Sequence, residues 1–435
     1  MIGRTIIMPE VIFMRIKQML RTMAAMVAIA AMVTAFPKQT GAMIWYEDNV
    51  PAATYADKVY GQTENAATTA DFDMDCRAAI LIEPETGNVL YEKNPDERMP
   101  EASITKVMTM LLVFESLDSG RISMEDTVMC SEYAASMGGS QIWLEPGEEM
   151  TVHELIKAAM VGSANDASVV LAEYVAGSHE SFVAMMNARA AELGMENTAY
   201  KNCTGLDAEG HVTSARDIAI VSAELMRHEK VLEYSTIWMD SMRGGTLELV
   251  NTNKLVRTYQ GITGLKTGTT SQAGCCVAAT AERDGMSLIA VVMGAPNSKT
   301  RFSCASKLLD YGFAGYELLA LDSVAVQAPV VPVEKGIEKE LKTVVDMCGK
   351  VLIPKGRGAD VTVKVESAES VTAPVEYGQT VGEVTLMLDD KCLGVYNIVT
   401  DGATEEITFG NVFSLLLDGL LRISSEDTDA LKIGL

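Results

Sequence analysis

The chain has 435 residues, 48% of them hydrophobic and 22% charged, so it is globular in composition and too long for one ordinary core; two domains plus ends are expected. A formal net charge of −24 argues against a nucleic-acid partner, whose phosphates demand a basic face, and against electrostatic adhesion to anionic lipid. Acidity on this scale bears on solubility and says little about fold.

At the N-terminus Arg15, Lys17 and Arg21 precede an apolar run from Met23 to Phe36, and Val33-Thr34-Ala35 supplies small residues for cleavage. This pattern predicts an export signal over 1–35. The run is short for a bilayer span, which takes about 20 residues; an uncleaved anchor is the competing reading. Residues 36–74 are polar and Ala/Thr-rich without a sustained period, which reads as a flexible lead-in. Arg77 to Glu83 and Asn88 to Glu92 flank Pro84-Glu85-Thr86-Gly87 and predict a hairpin. Apolar residues at three- and four-residue spacing predict helices at about 103–117, 151–161, 165–176, 179–193 and 214–228. A second hairpin joins Gly274–Arg283 to Met286–Gly294 through Asp284-Gly285, a strong two-residue turn signal, and a helix follows at about 303–311. Strands at both ends of a helical middle predict an α+β domain over 75–320. Beyond it, 321–408 is rich in valine, threonine and turn residues in short alternating segments, a small all-β domain with a supporting or binding role. The tail, 409–435, has an apolar side too short to span a bilayer; lying in the membrane interface and docking on its own domain compete as readings.

The eight cysteines, at 76, 130, 203, 275, 276, 304, 348 and 392, form no dense framework, so buried free thiols are expected. Neither C-x-x-C nor H-x-x-x-H occurs, and nothing calls for a metal or a cofactor.

Three short motifs carry the chemistry. In Glu101-Ala-Ser-Ile-Thr-Lys-Val-Met-Thr, Ser103 and Lys106 stand three apart and share a helix face. The apolar run that follows would desolvate the ammonium and lower its pKa, so a partly neutral Lys106 can take the Ser103 proton. The bland alternative is a capping serine and a snorkelling lysine. In Val161-Gly-Ser-Ala-Asn-Asp-Ala, a turn between two helices presents Ser163 and Asn165 to a cleft, the serine to relay protons and the asparagine to fix the lysine or a substrate amide; a helix cap is the alternative. In Gly264-Leu-Lys-Thr-Gly-Thr-Thr, Lys266 and Gly268 face one side of a strand, the lysine offering charge to an anionic ligand and the glycine leaving its approach open. A solvated lysine before a glycine turn is the plainer reading. Serine-x-x-lysine, serine-x-asparagine and lysine-threonine-glycine, in this order, are together the elements of penicillin-recognising acyl enzymes.

Over about residues 75–320 the chain resembles the low-molecular-mass penicillin-binding proteins, serine-type D-alanyl-D-alanine carboxypeptidases of peptidase family S11. Gly139-Ser-Gln-Ile-Trp-Leu-Glu-Pro-Gly, Gly194-Met-Glu-Asn-Thr, Cys203-Thr-Gly-Leu, Gly210-His-Val-Thr-Ser-Ala-Arg-Asp and Val292-Met-Gly-Ala-Pro add to the likeness. The resemblance implies a penicillin-binding/β-lactamase-like transpeptidase domain, an antiparallel sheet with helices, followed by a small all-β domain. It implies Ser103 as nucleophile, Lys106 as its proton acceptor, Ser163 and Asn165 in the proton-transfer network, and Lys266, Thr267, Gly268 and Thr269 as the substrate-binding strand. Lys266 would bind the terminal carboxylate, and the main-chain N–H groups of Ser103 and Thr269 would form the oxyanion hole. The implied partners are a peptidoglycan stem peptide, β-lactams as covalent inhibitors, and a peripheral membrane contact through the tail, at an extracytoplasmic site.

Two positions depart from the family pattern: Thr269 stands where histidine is frequent, and Cys275-Cys276 is rich in sulfur. His211 reads as structural, explained by the start of a helix near Thr213 and Asp217. No G-x-S-x-G elbow surrounds Ser103 or Ser163, so a Ser-His-Asp triad competes poorly. A β-lactamase lacks support, because no Glu-x-x-x-Asn element lies between the second and third motifs and a β-lactamase needs no β domain. A wall endopeptidase or transpeptidase shares the motifs. A catalytically idle wall-binding scaffold would be expected to have lost a reactive residue, and none is missing.

Overall fold

The computed structural model describes residues 74–413 and 416. The expected export signal, nearly all of the lead-in and most of the tail lie outside the described residues.

The strands β1 (Ala78–Glu83) and β2 (Asn88–Lys93) form the first expected hairpin, with a bulge between Leu81 and Ile82. The longer helices that follow are α1 (Lys106–Asp118), α2 (Val152–Val161), α3 (Asn165–Ala176), α4 (His179–Glu192) and α5 (Ala215–Leu225). Three longer strands come next, β3 (Ile262–Thr270), β4 (Gly274–Arg283) and β5 (Met286–Ala295), and then the long helix α6 (Ser298–Gly315). The sheet order is β2-β1-β5-β4-β3, antiparallel throughout, which makes β3 an edge strand.

Both faces of this sheet are covered, and the side-chain alternation of the strands shows it. Ala78, Ile80 and Ile82 of β1 and Ile289, Val291 and Met293 of β5 enter the core shared with α1, α2, α3 and α5. Their neighbours Ala79, Leu81, Leu288, Ala290 and Val292 enter a second core under α6, with Leu308, Leu309 and Phe313. Two buried faces explain why these strands read as unbroken apolar runs.

Local chemistry sets the helix starts. Thr151 closes a reciprocal capping box with Glu154 at the head of α2. Asn297 caps α6, which therefore begins five residues before the expected 303; its first turn carries almost no apolar residue to signal it. The helix expected from 103 divides instead into a 3-10 turn over Ala102–Thr105 and α1, because Ala102 takes a left-handed φ of 53°.

The β-rich part consists of β6 (Tyr316–Ala320), β7 (Val330–Glu334), β8 (Glu340–Val345), β9 (Lys350–Pro354), β10 (Val361–Ser367), β11 (Val371–Thr372), β12 (Thr380–Leu388) and β13 (Lys391–Thr400). Six of these form one sheet in the order β10-β12-β13-β8-β7-β11, around Val331, Val384, Leu386 and Ile398. Strand β6 pairs with β9 in a separate two-stranded sheet. After the last strand Ile407 N–H donates to Lys335 O, and a helical turn begins at Phe409 with Phe409, Val412, Phe413 and Leu416 exposed. Among the described residues no helix is long and apolar enough to cross a membrane.

Candidate active site

The three motifs, far apart in sequence, meet where the 3-10 turn abuts edge strand β3. Ser103 is half-buried on that turn, and the turn is held in a strained shape. Gly205, at φ 85°, presses on it so closely that a Cβ there would stand 1.9 Å from Ala102 O. On the strand side, a Cβ on Gly268 would lie 2.6 Å from Glu101 O and 2.9 Å from Ser103 N. The missing side chain of Gly268 thus makes room for the backbone of the turn that carries Ser103. A left-handed alanine costs about 1–3 kcal/mol and persists only where neighbours over-determine it, which these two glycines do.

Lys106 lies one helical turn further and is fully buried. Its Nζ donates to Ser103 Oγ at 3.1 Å, to Asn165 Oδ1 at 2.6 Å and to Thr204 O at 2.7 Å. Burial pushes the ammonium down from 10.5 to about 7, with Cys203 and Asp166 opposing the shift. Asn165 opens α3, and its other end is fixed too: Nδ2 donates to Gly138 O at 2.6 Å and its N–H to Ser140 O at 2.7 Å. The adjacent Asp166, buried and unremarked in sequence, accepts from Ile142 N–H and Leu144 N–H, and Arg243 Nη1 donates to Ile142 O at 2.8 Å. One helix start thus holds Lys106 and ties down the 138–144 loop.

Ser163 precedes that helix with a left-handed φ of 61°, and its Oγ accepts from Lys266 Nζ at 2.8 Å. Lys266 is buried on β3, and burial, followed by the charges of Lys106 and Arg301, holds it well below the usual lysine range. Thr267 Oγ1 donates to Thr252 Oγ1, which secures the strand away from the cleft. Thr269 is exposed and donates its hydroxyl to Gly268 O.

Sequence reasoning missed Arg301. It rises from α6, and its Nη1 donates to Gly268 O and Thr269 Oγ1, both at 2.9 Å, while its buried Nε has no partner. No motif surrounds it; only the packing of α6 under β4 brings it to β3. His211 is buried and hydrogen-bonded, as a structural residue should be, but its partners are not those of the helix start. Ser214 caps α5 and Asp217 accepts from Asn197 N–H and Thr198 Oγ1, so the start of that helix does not need the histidine. His211 Nε2 instead lies 2.8 Å from Thr105 Oγ1, beneath the nucleophile turn.

All eight cysteines are free; Cys130, Cys203, Cys276 and Cys304 are buried, but Cys348 and Cys392 are exposed, contrary to the expectation of buried thiols throughout. Among the described residues no group of three or more His, Cys, Asp or Glu side chains is placed to hold a metal ion.

A serine bonded to a buried lysine of depressed pKa, beside a second serine–lysine pair and an asparagine, defines a serine acyl-transfer enzyme of lysine-base type. Residues 63–297 match the D-alanyl-D-alanine carboxypeptidase model of peptidase family S11, and residues 322–406 match the C-terminal domain of penicillin-binding protein 5. The chain is 42% identical over 344 residues to the D-alanyl-D-alanine carboxypeptidase DacF of Bacillus subtilis, a match covering 78% of this chain and 88% of that protein. It is 34% identical over 353 residues to DacC of Escherichia coli, covering 79% and 88% respectively. Penicillin-binding protein 5 from Haemophilus influenzae superposes with a TM-score of 0.69 at 30% identity, covering 77% of this chain and 99% of that structure. The chain belongs to the S11 D-alanyl-D-alanine carboxypeptidase family, and the expected α+β domain with an all-β domain after it is the architecture of that family's solved members.

Proposed function

We propose that Ser103 is the nucleophile with which this carboxypeptidase removes the terminal D-alanine of a peptidoglycan stem pentapeptide. Neutral Lys106 takes the hydroxyl proton as Oγ bonds to the penultimate D-alanine's carbonyl carbon. The oxyanion that forms is met by the main-chain N–H groups of Ser103 and Thr269, each such donor worth about 3 kcal/mol. Collapse breaks the C–N bond, and the Lys106 proton, passed through the Ser163–Lys266 pair, goes to the leaving amine of D-alanine. Water then attacks the acyl-ester, Lys106 accepts its proton, and Ser103 Oγ leaves and is reprotonated. Lys266, with Arg301 behind the same strand, supplies positive charge to the terminal carboxylate. A β-lactam follows the first half of this path and remains on Ser103.

The observation that carries the assignment is the 3.1 Å contact between Lys106 Nζ and Ser103 Oγ inside a buried polar network. Wild-type protein should be labelled by fluorescent penicillin and release D-alanine from a pentapeptide, and Ser103→Ala should do neither. A folded wild type that stays unlabelled and inactive would reject the assignment.

The N-terminal charged and apolar pattern supports export, and the exposed apolar turn from Phe409 supports peripheral contact with the outer face of the cytoplasmic membrane. Recovering mature exported protein with Met1 attached would reject cleavage of the signal.

A further inference from the structure

We propose that His211 is a positioning residue for the nucleophile: through the Thr105 hydroxyl it holds the Ala102 carbonyl, and with it the left-handed turn that presents Ser103. The proposal rests on the acyl-enzyme reading of Ser103.

The direction of each hydrogen bond follows by elimination. Lys201 N–H donates to His211 Nδ1 at 2.9 Å, so in the neutral ring Nδ1 is the acceptor and Nε2 carries the proton. Thr105 Oγ1 lies 2.8 Å from Nε2 and 2.9 Å from Ala102 O. A carbonyl only accepts, so the hydroxyl's single proton goes to Ala102 O and its lone pair receives the Nε2–H. A one-way chain of donors therefore runs from Lys201 N–H through the imidazole and the threonine to the carbonyl beside the nucleophile.

Every member past Lys201 is buried: His211 is 3% exposed, Thr105 0% and Ala102 1%. The ring plane is set by edge-on contact with Tyr200 at 5.9 Å. The buried Glu101 Oε1 stands 3.4 Å from Nε2 and has no hydrogen-bond partner, so a second oxygen of the same turn lies near the ring proton. Gly205 confines that turn by shape alone. The imidazole adds direction, because a hydrogen bond to Ala102 O fixes the peptide plane whose next residue carries Oγ. His211 touches no reacting atom, so its effect belongs to the acylation step and not to ligand affinity.

The test is acylation of the full chain by fluorescent penicillin, separated into a non-covalent dissociation constant and a first-order acylation rate. His211→Phe should slow acylation about 10- to 100-fold, the scale of a misplaced nucleophile, with the dissociation constant unchanged. His211→Gln, whose amide N–H reaches the place of Nε2, should restore most of the rate. Thr105→Val should reproduce the loss and Thr105→Ser should not, which keeps the proposal testable if His211→Phe does not fold. Wild-type acylation rates in folded His211→Phe or in Thr105→Val, a loss confined to the dissociation constant, or a His211→Gln no faster than His211→Phe would overturn it. An unlabelled wild type would instead overturn the acyl-enzyme reading itself.

Discussion

Lys106 Nζ stands 3.1 Å from Ser103 Oγ in a site where burial brings the ammonium down to about 7. The base form is the neutral amine, so acylation should rise as pH increases through about 7 and level off above it. Below that point the rate should fall about tenfold per pH unit, as the fraction of neutral amine does. Lys106→Arg keeps a cation and loses the base; the expected loss is about 10²–10⁴-fold across neutral pH. Penicillin-labelling rates from pH 5 to 9 check both, and a flat wild-type profile would remove Lys106 as the base.

The same shift is a statement about stability. Below about pH 7 the folded and unfolded states both carry the proton, and the fold bears the full cost of the buried charge. Between about 7 and 10.5 the unfolded chain binds more protons, so stability rises with pH by up to about 1.4 kcal/mol per unit. Lys106→Met lacks this slope. In urea unfolding at pH 7.5, 8.5 and 9.5, the difference between wild type and Lys106→Met should move steadily in favour of wild type. A constant difference would mean that the lysine titrates at its ordinary value.

Gly205 and Gly268 hold the nucleophile turn from opposite sides, and each leaves no room for a methyl group. Gly205→Ala also forces alanine to φ 85°. Both substitutions should destabilise the domain by about 1–3 kcal/mol through overpacking, and both should slow acylation more than they weaken binding. Thermal melts beside labelling kinetics check this. Normal acylation by folded Gly205→Ala would show that the turn tolerates displacement.

Lys266 is held well below the usual lysine range by burial and by the charges of Lys106 and Arg301, so the cation that pairs with a substrate carboxylate is lost at lower pH than in an ordinary lysine. KM for free-acid peptides should therefore climb with rising pH sooner than an ordinary lysine would allow, while KM for amidated peptides should not. Lys266→Gln should abolish that dependence and cost free-acid substrates about 10- to 100-fold in kcat/KM, the worth of one charge-assisted hydrogen bond. Arg301→Gln should cut the same preference and, by removing a charge that depresses Lys266, move its pH dependence to higher pH. Equal losses for free and amidated peptides would assign Lys266 another task.

The motif residues that meet in the cleft were legible in the sequence because their spacing is local: serine and lysine one helical turn apart, serine and asparagine flanking a helix start, lysine two residues before glycine on a strand. What escaped depends on approach between distant segments. The left-handed Ala102 is set by Gly205, about a hundred residues away, and by Gly268 on the edge strand. Arg301 reaches that strand only because α6 packs under the sheet, and its helix start carries no apolar signal. His211 sits among residues whose capping pattern accounts for the local helix, so nothing nearby points to its contact with Thr105. In the β-rich part, Tyr316–Ala320 follows α6 directly, and only its pairing with Lys350–Pro354 shows which sheet it joins.

Beyond the last strand Ile407 N–H donates to Lys335 O, and Phe409 follows at 88% exposure with its ring stacked on Phe413. Apolar rings left outside the fold lower the free energy on entering a lipid interface by about 25 cal/mol for each Å² removed from water. Truncation after Thr408 keeps the closing hydrogen bond, so the remaining chain should stay folded and retain penicillin labelling. It should lose sedimentation with vesicles, and Phe409→Ser with Phe413→Ser should weaken it. Because the chain is acidic, a larger anionic fraction of the lipid should weaken binding, and added salt should relieve that repulsion. A truncated protein that partitions as the full chain does would leave the tail as packing on its own domain.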